Sequence, residues 1–333
     1  MTLKPLAIKI AGLGKYLPER IVTSAELEKQ LEIPRGWVER VTGVQSRRYA
    51  GRETASEMAT SAAREALQMA GLQPSDLDAI IGASAGVRQA IPCTAAFVQR
   101  ELGAPDGKSA CFDINATCLS FVFALQTAAH LINAGVYKTV LIFSSEIASF
   151  SRNPKQWESA VLFGDGAAAA VVTAAQPGEA SAIWHSHFVT YSSGADLTQL
   201  LGGGSLHHPN DPATTPEMNM FDMDGPAVFK KAARLVPPFL EEFTKEQGWA
   251  PRDYDQVIPH QASGHAMKLI STRFGFHPEQ VFNHIHERGN CISVSIPLAL
   301  TEAVQAGRIQ RGDKVLLIGT GAGLSVGALA LTF

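Results

Sequence analysis

Charge is scarce in this 333-residue chain: Asp, Glu, Lys and Arg make up 18% of it and leave a net charge of -3. That balance provides no global attraction to nucleic acid or to an anionic membrane, so neither is expected as a partner. Cysteine is sparse too. Cys93, Cys111, Cys118 and Cys291 show no CxxC pairing, which argues against a disulfide framework or a zinc knuckle. Apolar runs are too short or too often broken to span a bilayer. Low-complexity tracts are missing, and 46% apolar residues suit a compact chain with a substantial core. Lys9 and Lys15 interrupt what would be the core of an export signal, so a cytoplasmic protein with reduced thiols is expected.

Two glycine-rich strings fall short of a dinucleotide loop. Gly12-Leu-Gly14 has no third glycine at the required place. Gly319-Thr-Gly-Ala-Gly323 is followed by LSVGALALTF, which reads as a closing strand and leaves no room for a helix or an acidic partner. The pairs His185/His187, His207/His208 and His284/His286 join no further ligand pattern, so no metal is expected.

What the chain does hold is an internal echo at a spacing of about 175 residues. QPSDLDAIIGASAG near Asp78 matches APRDYDQVIPHQASG near Asp255, and INAGVYKTVLIF matches VQAGRIQRGDKVLLIG. Each half reads helix, strand, small-residue loop, helix, strand, which is the alternation of an α/β fold. Runs such as AIIGAS, TVLIFSS, QVIPH and KVLLIG are continuously apolar, as in sheets covered on both faces. The expected division is residues 1–175, carrying a cysteine of interest, and residues 176–333, carrying a histidine and an asparagine.

That cysteine is Cys118, at the head of the uncharged stretch CLSFVFALQTAAHLIN, which predicts a buried helix with Thr117 as N-cap. A thiol in the first turn of a helix faces unpaired N–H groups and the positive end of the dipole, so a pKa below about 8.5 is expected. A small core residue is the alternative, since free cysteine is commonly buried. His260 ends the strand QVIPH, where α/β proteins collect reactive groups. Asn290 falls near the start of the helix equivalent to the one headed by Cys118, so a pseudo-twofold would bring all three to one cleft.

Together, Cys118, VIPHQAS around His260 and GNCISVSIP around Asn290 resemble the ketoacyl-synthase III group of the thiolase superfamily. WVERVTGVQSRRYA at 37–50, FGDGAAAAVV at 163–172 and GTGAGLSVG at 319–327 extend the resemblance along the chain. It implies a five-layer αβαβα sandwich of two duplicated halves, usually a homodimer, with the site at the base of a tunnel. It further implies that an acyl thioester loads Cys118. His260 and Asn290 would then stabilise the enolate left when a malonyl-type thioester loses carbon dioxide. The backbone N–H groups of Cys118 and Ala322 would hold the acyl oxygen. Coenzyme A or acyl carrier protein thioesters would be substrates, with no metal and no redox cofactor. Cys291 is expected to serve packing.

The chain departs from that pattern at several places. Trp37 matches the family tryptophan that stacks on adenine, but its usual arginine partner is Trp157. Ser263 and His265 replace the usual asparagine and arginine after His260, leaving Lys230, Lys231, Arg234, Lys268 and Arg273 as candidates for carrier docking. Thr320 and Leu324 stand where aromatic residues are usual, and Ile91 where a partner subunit's residue often closes the acyl pocket. These substitutions predict a larger or differently shaped acyl channel. Fatty-acid initiation, a specialised condensation such as joining two long acyl chains, and acyl transfer to oxygen or nitrogen without decarboxylation all remain open at this level. So does a non-catalytic subunit supporting a related partner.

Overall fold

A computed structural model describes residues 4–333, so residues 1–3 of the first expected half lie outside it. The first sheet is built from β1 (Ile8–Tyr16), β2 (Ala79–Gly82), β3 (Ala110–Asp113), β4 (Thr139–Glu146) and β5 (Gly166–Ala174). Its spatial order is β1-β5-β4-β2-β3. The second sheet holds β6 (Ala182–Gly194), β7 (Gln256–Pro259), β8 (Lys314–Gly321) and β9 (Gly323–Thr332), in the order β7-β8-β9-β6. Read from its other edge, the second order repeats the first. In each, an inner parallel pair adjoins two antiparallel neighbours. The counterpart of β3 is reduced to one parallel bridge between Val257 and Val281.

Helices fill three layers around these sheets. α1 (Ala55–Ala70) and α2 (Thr94–Leu102) cover the outer face of the first sheet, with Ala62, Ala66 and Val98 against Ile80 and Leu141. α3 (Ser120–Asn133) lies between the sheets beside its twin, the later helix Ser295–Gln305. Leu125 and Ala128 of the first, and Ile296 and Ala299 of the second, share one core with Ile81, Ile142, Leu317 and Leu329. α4 (Gly225–Gln247) and α5 (Gly264–Arg273) cover the second sheet, burying Val236, Phe239 and Met267 against Leu316 and Ile318. The Ser295–Gln305 helix is α6. The result is the five-layer αβαβα sandwich expected for the thiolase fold. Among the described residues no helix is long and apolar enough to cross a membrane.

Local chemistry explains where these elements begin. Thr54 caps α1 by accepting from Glu57 N–H at 3.3 Å while Glu57 accepts from Thr54 N–H at 2.7 Å, and Gly71 ends the helix at φ +68°. Ser263 caps α5 by accepting from Ala266 N–H at 3.2 Å, which accounts for a serine after His260.

Duplication extends to individual hydrogen bonds. Ahead of α3, Asn115 Oδ1 accepts from Thr117 N–H at 2.9 Å and Ser120 Oγ from Ala116 N–H at 2.9 Å. Ahead of α6, Asn290 Oδ1 accepts from Ile292 N–H at 2.8 Å and Ser295 Oγ from Cys291 N–H at 3.1 Å. Thr117 and Ile292 both sit at φ +50°, a region that β-branched residues rarely occupy. The expected N-cap at Thr117 is therefore corrected: a 3₁₀ turn, Thr117–Leu119, precedes α3, and the Thr117 hydroxyl donates to Ala116 O at 2.8 Å.

The glycines of β1 serve packing. A Cβ on Gly14 would lie 2.1 Å from Ala62 O, and one on Gly12 2.1 Å from Ala66 O, so α1 rests directly on the strand backbone. Gly14→Ala is expected to cost at least about 2 kcal/mol by forcing helix and strand apart. Urea unfolding checks it, and a loss below about 0.5 kcal/mol would contradict so close a contact.

Candidate active site

The loops that follow β2, β4, β7 and β8, with the twin turns ahead of α3 and α6, enclose a chamber of about 1690 Å³. Cys118, His260 and Asn290 all line it. Ala322, Thr320, Leu324, His265 and residues Gly202–Gly204 of the segment between β6 and α4 line it as well. Two glycines of β8 permit the crowding. A Cβ on Gly319 would meet His260 Cβ at 2.8 Å, and one on Gly321 would meet Thr117 Oγ1 at 2.9 Å. Those glycines belong to a strand and hairpin rather than to a nucleotide loop.

Each of the three side chains is fixed differently. His260 follows β7, its N–H donating to Ile318 O at 2.8 Å, and is only 4% exposed with Nδ1 buried and unpartnered. Asn290 is clamped at both ends of its carboxamide: Oδ1 accepts from Ile292 N–H, and Nδ2 donates to Ala262 O at 3.3 Å. One hydrogen on Nδ2 is left for a ligand. Cys118 sits in the 3₁₀ turn, half-buried, with its own N–H and that of Ala322 directed at the sulfur.

The expectation of an acidified thiol is overturned. Burial, reinforced by the Glu146 carboxylate, pushes Cys118 up to about 12, and the two backbone N–H groups only partly oppose this. Cys118 precedes α3 by two residues, so it lies ahead of the helix rather than in its first turn. Burial also pushes His260 down to about 4. At neutral pH the site therefore holds a thiol beside an uncharged imidazole. Cys291, 1% exposed, has its thiol pushed up by burial and donates from Sγ to Arg288 O at 3.4 Å.

Glu146 was not singled out by the sequence, although a carboxylate closing the apolar strand TVLIFSSE is a legible signal. It is 2% exposed and accepts from Ala85 N–H at 2.7 Å, Gly86 N–H at 2.9 Å and Ser293 Oγ at 2.5 Å. Ser293 is the duplicate of Cys118, held shut against that carboxylate. Asn115, the duplicate of Asn290, also lines the chamber, at a position that the repeat spacing of about 175 residues marks out.

Other candidates lie apart. Trp37 and Trp157 meet edge to face at 5.9 Å, and neither is in the chamber wall, though Val41 and Glu158 beside them are. Ile91 is 83% exposed and outside the chain's own chamber. Lys230, Arg234, Lys268 and Arg273 are exposed on α4 and α5, while Lys231 donates to Ser193 Oγ at 2.8 Å.

The neutral imidazole has a consequence for stability. An unfolded histidine binds a proton below about 6.5, but native His260 refuses one until about 4, so acid favours unfolding. Between pH 7 and pH 5 this one residue should remove on the order of 2 kcal/mol of native stability. In His260→Asn that loss should vanish, shifting the wild-type-to-variant difference in urea unfolding by the same amount. A difference constant with pH would mean that the native imidazole titrates normally.

Comparison with known proteins supplies the lineage. Residues 112–192 match the family model for 3-oxoacyl-[acyl-carrier-protein] synthase III, and residues 244–333 match that for its C-terminal part. The chain is 35% identical over 341 residues to a beta-ketoacyl-[acyl-carrier-protein] synthase III of Symbiobacterium thermophilum, covering 99% of each protein. It is 36% identical to that of Aquifex aeolicus, with 98% and 100% covered. The crystal structure of the synthase from Aquifex aeolicus superposes with a TM-score of 0.88 at 35% identity, covering 98% of this chain and 100% of that one. With sequence agreement over its whole length and the same layered fold, the chain belongs to the 3-oxoacyl-[acyl-carrier-protein] synthase III family.

Proposed function

We propose that this protein is a condensing acyltransferase that loads an acyl group onto Cys118 and joins it to the α-carbon of a malonyl-type thioester. One observation carries the proposal: a thiol, a neutral imidazole and a half-satisfied carboxamide face a common chamber, with two backbone N–H groups aimed at the sulfur. In the first half-reaction Cys118 Sγ attacks the thioester carbonyl. The oxyanion develops between the N–H groups of Cys118 and Ala322, and the thiol proton departs with the leaving thiol. In the second, His260 and Asn290 donate to the acceptor's thioester oxygen. Carbon dioxide leaves, the enolate attacks the acyl-cysteine, the C–S bond breaks, and the thiolate takes up a proton. A neutral His260 suits this task because it donates a hydrogen bond without adding a charge that would bind the ground state.

Coenzyme A and acyl carrier protein thioesters are the substrates proposed, with Trp157 and Trp37 near an adenine at the rim and Lys230, Lys231, Arg234, Lys268 and Arg273 meeting an acidic carrier. A homodimer in the cytoplasm, with Ile91 reaching the partner's acyl pocket, completes the proposal. The chemistry described requires neither metal nor redox cofactor. The chamber of about 1690 Å³ must hold the arm of the thioester as well as its acyl group, and Thr320 and Leu324, in its wall where aromatic residues are usual, favour a donor longer than acetyl.

Intact-mass measurement with a panel of acyl thioesters tests loading: an adduct should form on the wild type and be absent from Cys118→Ala. His260→Ala and Asn290→Ala should still be acylated but lose condensation by roughly 10²–10³-fold each. Release of labelled carbon dioxide from a malonyl thioester separates condensation from acyl transfer to oxygen or nitrogen. Across chain lengths, donors of six or more carbons are expected to load at least as well as acetyl. Loading by acetyl and propionyl alone would refute the larger channel.

A further inference from the structure

Behind His260 lies a second, smaller cavity of about 70 Å³, enclosed by α4, α5 and the end of β8. It adjoins the main chamber, and Phe229, Ala232, His260, Ala262, Ala266 and Thr320 wall both spaces. Cys118 and Asn290 belong to the wall of the larger space only. The smaller one exists because α4 offers Ala232 and Ala233, α5 offers Ala266, and β8 offers Gly319 and Thr320 between the bulkier Phe229 and Phe274. Gly319 cannot fill it, since its missing Cβ would collide with His260.

We infer that this pocket receives a short alkyl branch on the α-carbon of the acceptor, making alkylmalonyl thioesters substrates; the inference rests on the condensing function proposed above. Three features point that way. The pocket touches the imidazole that would hold the acceptor's thioester oxygen, whereas the sulfur that carries the donor chain belongs to the wall of the main chamber alone. Its wall is aliphatic and aromatic apart from His260 and Thr320, so it suits carbon rather than a charged or hydrogen-bonding group. Its volume of about 70 Å³ is small against the main chamber's 1690 Å³, room for a short alkyl branch and too little for a long acyl chain.

The step balances as for malonyl. An ethylmalonyl thioester loses carbon dioxide, and the substituted enolate forms a C–C bond to the acyl carbonyl as its bond to Cys118 Sγ breaks. The thiolate is protonated, and the product is an α-ethyl-β-ketoacyl thioester.

The test gives acyl-loaded enzyme malonyl, ethylmalonyl and butylmalonyl thioesters separately and follows products by mass spectrometry. Ethylmalonyl should be condensed with a kcat/KM within about tenfold of malonyl, and butylmalonyl at least about a hundredfold less well. Ala233→Leu, which fills the pocket, should lower the ethylmalonyl-to-malonyl ratio by at least about tenfold. Ile270→Ala, which enlarges it, should raise the butylmalonyl-to-malonyl ratio, and decides the matter if the leucine variant does not fold. Malonyl condensed with ethylmalonyl refused, or ratios unmoved by the variants, would overturn the pocket's role alone. Failure with all three acceptors would overturn the condensing function as well.

Discussion

The site depends on how closely the end of β8 approaches the nucleophile turn. Gly319 and Gly321 leave no side chain where His260 and Thr117 stand, at 2.8 Å and 2.9 Å from the absent Cβ positions. A methyl group at either place would push the second sheet away from α3, and the imidazole would move with its strand. Because β7, β8 and the Cys118 turn are buried in one core with α3 and α6, and Val294 of the second turn packs beside it with Ala168 and Leu298, that approach is held by rigid elements rather than by loops. Catalytic geometry of this kind needs positions held to fractions of an ångström, which packed strand ends supply.

Exclusion of water then sets the protonation states. Cys118 is raised and His260 lowered by the same first cause, burial, so neither the thiol nor the imidazole carries charge at rest. An arrangement that kept a permanent thiolate would need a compensating positive charge nearby, whereas the neighbouring acid, Glu146, works against the thiolate and is itself pushed up by burial. The backbone N–H groups of Cys118 and Ala322 serve better against an oxyanion that forms transiently, when charge appears where they already point.

Sequence patterning made the fold legible because continuous apolar strands and a fixed repeat spacing encode layers directly. The same repeat relates the turns that carry Cys118 and Asn290 and the strand end that carries His260, and all three line one chamber. What it missed was decided by tertiary context. The thiol's acidity was misjudged because burial and Glu146, both set by residues distant along the chain, outweigh the backbone N–H groups of Cys118 and Ala322. Glu146 escaped notice because its partners, Ala85, Gly86 and Ser293, lie far away along the chain. Trp37 and Trp157, paired by position in a motif, do contact each other in space, but the sequence does not say that the pair stands outside the chamber wall. Composition carries no information about which way such a pair faces.

Duplication creates two copies of one turn, and the difference between them explains why only one is open for chemistry. Cys118 and Ser293 occupy equivalent positions, each one residue after a strained φ of +50°. In the second copy the hydroxyl is 0% exposed and donates to Glu146, whose carboxylate also takes two backbone N–H groups. Three donors make a buried carboxylate tolerable, and in return it immobilises Ser293 as an acceptor-bound hydroxyl with no access to substrate. The first copy has a sulfur in that place and opens to the chamber. Its asparagine, Asn115, keeps the turn's shape, while the second copy's asparagine, Asn290, keeps the same shape and still has a hydrogen to offer. One half thus presents the nucleophile and the other the donors, from a single ancestral turn geometry used twice.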